Sequence, residues 1–94
     1  MPSLYEILMP FYYTKEKSYA DWTTLVTSKT NGLTVGQPCC GTWLDSDKSI
    51  IETVLPVRIA CDEYTMSEIA KAAKTMFNQK EIMYYCITRD VYFI

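Results

Sequence analysis

The chain has 94 residues, a formal net charge of −2, 49% hydrophobic residues and no histidine. Its length predicts one domain over 1–94, and its charge excludes a general nucleic-acid-binding protein, which needs a basic surface to neutralise phosphates. Without histidine the commonest zinc ligand and the usual general base near neutral pH are missing, so neither a metal site nor a cofactor is expected. This makes binding a better expectation than catalysis.

Cysteine usage and the first residues bear on the cellular location. Cys39 and Cys40 are adjacent, so they cannot form a C-x-x-C redox or zinc pair, and the pattern gives them no role. The apolar run Leu4–Tyr13 is interrupted by Glu6 and Pro10 and lacks a basic start, which argues against a signal peptide. It is also too short to span a membrane. We expect a cytoplasmic protein with reduced thiols and no membrane partner.

The first half of the chain predicts a strand and then a helix. Residues 3–9 form a short apolar strand whose drier face carries alternate large side chains. Ser18 is a candidate N-cap, Trp22 and Val26 follow helical spacing, and Asn31-Gly32 provides a left-handed stop. This predicts a helix over 19–30.

The middle of the chain predicts a hairpin after a glycine-rich connection. All three glycines fall within residues 32–41, which indicates unusual backbone demands there. A strand beginning near Gly41 turns at residues 45–48 and returns as a long strand over 49–62. Because Pro56 cannot donate to a strand ladder, it predicts an edge position or a bulge.

The last third predicts a second helix and one or two strands. Residues 65–68 (TMSE) match a capping box, and apolar residues follow at helical spacing, so a helix is predicted over 66–79. A strand rich in Ile and Tyr is expected over 81–88, followed by a turn and a short last strand over 91–94.

This order of elements predicts an α+β, ferredoxin-like split βαβ fold, in which two helices cover one face of an antiparallel sheet. The other face is expected to carry side chains from among Tyr5, Val54, Tyr84 and Cys86. A small domain rarely leaves such a face open. The pattern therefore favours a homo-oligomer formed through the sheet, or a ligand bound on it.

Six residues are candidates for ligand binding. Gly36 and Gly41 could present backbone N–H groups to an anion, although the simpler interpretation is a long connection. Aromatic rings and a guanidinium suit a planar anionic ligand such as a nucleotide, and the residues concerned are Trp43, Arg58, Tyr84 and Tyr85. The alternative places Trp43 and one tyrosine in the core or an interface, with Arg58 paired to Glu52 or Asp62.

Three carboxylates near the hairpin raise the question of a divalent cation. Asp45, Asp47 and Glu52 provide the oxygen ligands that such ions prefer. A D-x-D sequence at a hairpin turn is more typical of turn chemistry. No metal site is predicted.

Four short segments, in order, resemble a group of small bacteriophage and prophage proteins. They are Gly32-Leu33-Thr34-Val35, Gly41-Thr42-Trp43, residues 56–61 (PVRIAC) and residues 79–85 (QKEIMYY). This chain departs from that pattern at Asn31, where a second glycine is expected, and at Cys39-Cys40. The resemblance implies phage origin and interference with a host defence process, and it transfers no site.

Together these inferences predict a non-enzymatic anti-defence protein that acts by binding. Its sharper form is a homo-oligomeric sponge that sequesters a nucleotide-type immune signal in the cytoplasm of the host cell. Two alternatives stay open: an inhibitor that docks directly on a host defence protein, as anti-CRISPR proteins do, and a histidine-free phosphodiesterase or lyase.

Overall fold

The computed structural model describes residues 2–14 and 16–94, and within them it contains five strands and two α-helices. In chain order the elements are β1 (Ser3–Pro10), a 3-10 turn (Phe11–Tyr13), α1 (Lys17–Lys29), β2 (Thr34–Val35), β3 (Cys39–Asp45), β4 (Lys48–Cys61), α2 (Glu63–Met76) and β5 (Tyr84–Thr88).

The strands form one antiparallel sheet in the order β2-β4-β1-β5, and β3 pairs with the first half of β4. Residues 54–61 of β4 pair with β1, and residues 48–54 pair with β3. With the helices on one face, this is the β-α-β-β-α-β arrangement. The predicted ferredoxin-like α+β fold is confirmed.

Pro56 lies where β4 changes partner. β3 pairs with β4 as far as Val54, and β2 takes over at Val57 and Arg58. Between these two segments the Pro56 carbonyl accepts the N–H of Gly36 at 2.8 Å. A residue without an N–H is tolerated at this interruption because no strand requires its hydrogen bond.

The hydrophobic core lies between the sheet and the two helices. Trp22 is fully buried at its centre, and its indole Nε1 donates to the Ile69 carbonyl at 3.2 Å. The predicted apolar stripe of α2 faces the same space. The fully buried side chains include Ile7, Met9, Trp22, Val26, Val57, Ile59, Met66, Ile69, Ala73 and Phe77.

Both helices begin earlier than predicted. α1 starts at Lys17 after Glu16, whose side chain makes no capping bond, so the predicted Ser18 cap is wrong. α2 starts at Glu63 because the Asp62 carboxylate accepts the N–H of Thr65 at 2.7 Å. That hydrogen bond holds the pKa of Asp62 below its usual value. The predicted TMSE cap lies inside the helix.

The strand boundaries also differ at the end of the chain. β5 begins only at Tyr84, although the Leu8 N–H still donates to the Met83 carbonyl just before it. Residues 91–94 form no strand. The short fifth strand is instead Thr34–Val35, which pairs antiparallel with β4.

The predicted composition of the open sheet face is partly wrong. Tyr5 is buried in the core on the helix side, and Cys86 pairs opposite it and therefore shares that side. Tyr84 contacts Tyr5 edge-on, with ring centroids 6.3 Å apart. The open face carries the residues between these positions, including Glu6 and Tyr85.

None of the helices within the described residues is long and apolar enough to cross a membrane.

Candidate functional site

Two of the predicted ligand-binding residues, Arg58 and Tyr85, meet at Glu6 on the open face of the sheet. Both lie directly across from Glu6, Arg58 in β4 and Tyr85 in β5. The Arg58 Nε donates to Glu6 Oε1 at 3.1 Å, and the Tyr85 hydroxyl donates to Oε2. The pairing of Arg58 with Glu52 or Asp62, which the sequence left open, does not form.

Glu6 requires these partners because it is only 9% exposed. A buried carboxylate is costly unless its oxygens are hydrogen-bonded or paired with a positive charge. The Arg58 side chain is 57% exposed, so the positive member of the pair reaches the surface. We refer to Glu6, Arg58 and Tyr85 as the sheet-face cluster.

Two further predicted residues, Gly41 and Trp43, meet on the hairpin. The Trp43 indole Nε1 donates to Glu52 Oε1 at 2.6 Å, from β3 to β4. The indole ring lies over Gly41, where a Cβ would stand 2.8 Å from one ring carbon. Gly41 is therefore needed for a close approach, as its position in the glycine-rich segment suggested.

Replacing Gly41 by alanine is expected to displace the Trp43 indole and break its hydrogen bond to Glu52. The added methyl group would clash with the ring, and the ring is free to move because Trp43 is only partly buried. We expect a changed indole N–H resonance for Trp43, an unchanged one for Trp22, and a loss of about 1–2 kcal/mol in the free energy of unfolding.

Gly36→Ala is the matched control for this change, since Gly36 has an ordinary φ and its Cβ would meet no aromatic ring, its nearest neighbours being the Pro56 side chain at 3.1 Å and the Pro56 carbonyl oxygen at 3.4 Å. If Gly41→Ala leaves the Trp43 resonance where it is, the close contact between ring and backbone is wrong.

The six predicted residues do not form one site. Trp43 pairs with Ile50, which is eight residues from Arg58 along β4, or roughly 26 Å at about 3.3 Å per residue. Gly36 lies beside Pro56, and Tyr84 faces the helix side of the sheet. The structure thus brings together two pairs, Arg58 with Tyr85 and Gly41 with Trp43. Their role in ligand binding stays a prediction.

A cleft of about 650 Å³ opens beside Trp43. One wall is the β3–β4 hairpin, the other is the segment 78–83 that follows α2, and Leu8 and Pro10 of β1 form the base. We refer to this space as the hairpin cleft. It is larger than a second depression beside α2, which has a volume of about 590 Å³.

The charges that line the hairpin cleft are mainly negative. Asp45, Glu52 and Glu81 contribute three carboxylates, against the single ammonium group of Lys80. Lys80 Nζ lies 3.9 Å from Asp45 Oδ2, but both side chains are more than half exposed, so water weakens this pair. The cleft therefore attracts a cation more strongly than an anion.

Two residues important to these sites were not predicted. Glu6 was considered only as an interruption of the apolar run, although an acidic residue inside an apolar strand signals a buried partner. No role was predicted for Lys80. Its position across from Asp45 depends on the turn at Asn78, which has a positive φ of 50°.

No preformed metal site is present in the described part of one chain. No three His, Cys, Asp or Glu side chains there lie close enough together to hold a metal ion. Asp45 and Asp47 flank the hairpin turn, where Ser46 has a φ of 57°. A D-x-D sequence most often serves to form a turn of this kind.

The four cysteines are free thiols. Cys61 is buried, and burial raises its pKa to about 11, so it stays protonated and packs as a small apolar side chain. Cys39, Cys40 and Cys86 are exposed.

Comparison with known proteins gives a consistent fold. The chain is similar to the periplasmic divalent cation tolerance protein CutA from Archaeoglobus fulgidus, with a TM-score of 0.74, 12% identity, and coverage of 99% of this chain and 88% of that one. CutA1 from Oryza sativa gives a TM-score of 0.71 at 8% identity, covering 97% and 83% of the two chains. B. subtilis GlnK gives 0.56 at 12% identity, covering 93% and 86%.

No family model matches the sequence, and no curated protein matches it. The resemblance to phage proteins is wrong, because the solved structures that this chain resembles include CutA1 proteins and GlnK, and no comparison supports a phage group.

The predicted anti-defence function is wrong for the same reason. This applies both to the nucleotide sponge in a phage host and to the inhibitor docked on a defence protein. Nothing in the likeness supports a histidine-free phosphodiesterase or lyase. At 7–13% identity the likeness establishes the fold. The chain has the ferredoxin-like fold that CutA1 and GlnK share.

Proposed function

We propose that this protein binds divalent cations in its hairpin cleft and serves in tolerance to them, without catalysing a reaction. The observation that carries the proposal is the charge of the cleft, where three carboxylates face one ammonium group. Support comes from the neighbours of the same fold, several of which are named divalent cation tolerance proteins.

Trp43 and Glu52 have a defined role in this proposal. The indole N–H holds one carboxylate oxygen of Glu52, which orients the other oxygen as an acceptor. Carboxylate oxygens are the ligands that hard divalent cations prefer, and carboxylates also bind zinc and copper. A cation entering the cleft would compete with Lys80 for Asp45, which is feasible because that pair is exposed.

We propose further that the binding unit is a homo-oligomer, since a single chain lacks a cluster of three ligands in its described residues. Large apolar side chains beside the hairpin cleft are exposed, including Leu44 at 79% and Ile51 at 69%. The sheet face opposite the helices has no covering layer among residues 2–14 and 16–94 of one chain. Contact between copies would bury these surfaces and add carboxylates to the cleft.

We retain the cytoplasmic location as part of this proposal, because four free thiols suit a reducing compartment.

Isothermal titration of the protein with Cu²⁺, Zn²⁺ and Mg²⁺ tests the cation site. For Glu52→Gln we expect binding of at least one of these ions to weaken about tenfold, which corresponds to 1.4 kcal/mol. The substitution removes charge but keeps an oxygen for the Trp43 hydrogen bond. Asp90→Asn is the matched control, because Asp90 is exposed and lies outside the cleft.

Equal affinities for the parent, Glu52→Gln and Asp90→Asn would contradict a site in this cleft. Sedimentation at several protein concentrations, with and without the ion, tests the assembly. A chain that stays monomeric throughout would contradict the homo-oligomer.

A further inference from the structure

The outer edge of β5 has backbone groups without a strand partner among the described residues. β5 is the last strand in the sheet order and pairs only with β1. The Leu8 N–H bonds to the Met83 carbonyl, so alternation along an antiparallel ladder turns the backbone groups of Tyr85 toward β1. Those of Tyr84 and Cys86 point outward. An edge of this kind can accept an additional strand.

A groove of about 590 Å³ runs along the beginning of this edge, between it and α2. Its strand wall is formed by Ile82, Met83 and Tyr84, with Glu81 at its mouth. Its helix wall carries Lys71 and Lys74, one turn apart and both exposed. Two ammonium groups face one carboxylate, so the groove is positively charged, in contrast to the hairpin cleft.

We propose that this edge is a docking site for an extended acidic segment of another protein. The segment adds as a strand to Tyr84 and Cys86 of β5, and its alternate side chains on the helix side place carboxylates against Lys71 and Lys74. This function goes beyond cation binding and uses none of the residues of the hairpin cleft except the shared wall at 81–83.

The chemistry of the groove selects this partner in two ways. The backbone edge requires an extended chain, because only a strand satisfies alternate N–H and C=O groups at a spacing of about 6.6 Å. The two lysines stand on one helix face above that edge, so they favour a chain with negative charge at every second residue. β-branched residues at the remaining positions favour the extended conformation that this pairing needs.

The test uses the full chain and a fluorescent peptide of alternating Glu and Val, followed by anisotropy. We expect the parent protein to bind this peptide, to prefer it to a Lys-Val peptide of equal length, and to bind it less tightly as salt is raised. Lys71→Gln/Lys74→Gln should weaken binding about tenfold or more. Lys29→Gln/Lys48→Gln is the matched control, since these lysines are exposed and lie outside the groove.

Amide hydrogen exchange shows which backbone groups of the protein the peptide contacts. Bound peptide should slow exchange at Tyr84 and Cys86, while Tyr85, which already faces β1, should change little. Equal binding of both peptides, or of both double variants, would overturn the proposal. Concentration-dependent protection of Tyr84 and Cys86 without peptide would overturn it in favour of a second copy of this chain. Cation affinity is measured on the same variants as a separate readout. If only the docking proposal fails, peptide binding is lost or unselective while the cation affinities equal those of the parent protein.

Discussion

Replacing Trp22 by alanine is expected to lower the free energy of unfolding by about 3–5 kcal/mol. Trp22 is fully buried, and its ring contacts Phe77 and Tyr19 with centroids 6.5 and 6.2 Å apart. Alanine would leave a large cavity and remove the hydrogen bond to the Ile69 carbonyl. Domains of this size are typically stable by about 5–15 kcal/mol, so the variant should be close to unfolding.

Urea denaturation followed by circular dichroism measures this loss. Trp22→Phe separates the contributions, because it keeps an aromatic ring and should cost only about 1–2 kcal/mol. Trp43→Ala is the matched control, since Trp43 lies on the hairpin outside the core cluster. A loss below about 1 kcal/mol for Trp22→Ala would show that Trp22 does not join α1 to α2.

The second large effect is expected at the sheet-face cluster, where the two members of the ion pair should respond unequally. Arg58→Leu leaves the buried Glu6 carboxylate with one hydrogen-bond donor among the described residues, the Tyr85 hydroxyl. Removing one partner of a buried pair costs about 3–5 kcal/mol, and the exposure of Arg58 reduces our expectation to about 2–3 kcal/mol. Glu6→Leu should cost less, because Arg58 and Tyr85 both reach water.

The double variant Glu6→Leu/Arg58→Leu completes the comparison. It leaves no buried charge, so we expect it to be more stable than Arg58→Leu alone. All four proteins are unfolded in urea at one protein concentration, because self-association would otherwise change their apparent stability. If the double variant is as unstable as the sum of the single losses, Glu6 and Arg58 do not interact.

The architecture could be predicted from the sequence because its main signals are local. Each signal comes from residues that are close together in the sequence. These signals are the apolar stripe in α2, the hairpin turn at 45–48 and the glycine after α1. The helix starts were missed for a physical reason. Asp62 and Thr65 compete as caps in the same segment, and only the backbone geometry decides that the Asp62 carboxylate receives the bond.

The candidate sites could be predicted only in part because they depend on contacts between distant residues. Arg58 was recognised as a functional candidate, but its partner Glu6 is 52 residues away in sequence. Trp43 was grouped with Arg58 by chemistry alone, and the length of β4 separates them. Gly41 and Trp43 were both named as ligand-binding candidates, but for separate reasons, and the contact of the Trp43 ring with Gly41 was not predicted.

The length of β4 divides the molecule into two regions of unequal stability. Residues 54–61 lie against β1 and the core, whereas residues 48–53 are paired only with β3 and carry mostly exposed side chains. Local opening of the hairpin therefore exposes little apolar surface, and it can melt while the rest of the sheet stays folded. Since Trp43 and Glu52 lie on this part of β3 and β4, a cation bound there as proposed would stabilise the hairpin against local opening.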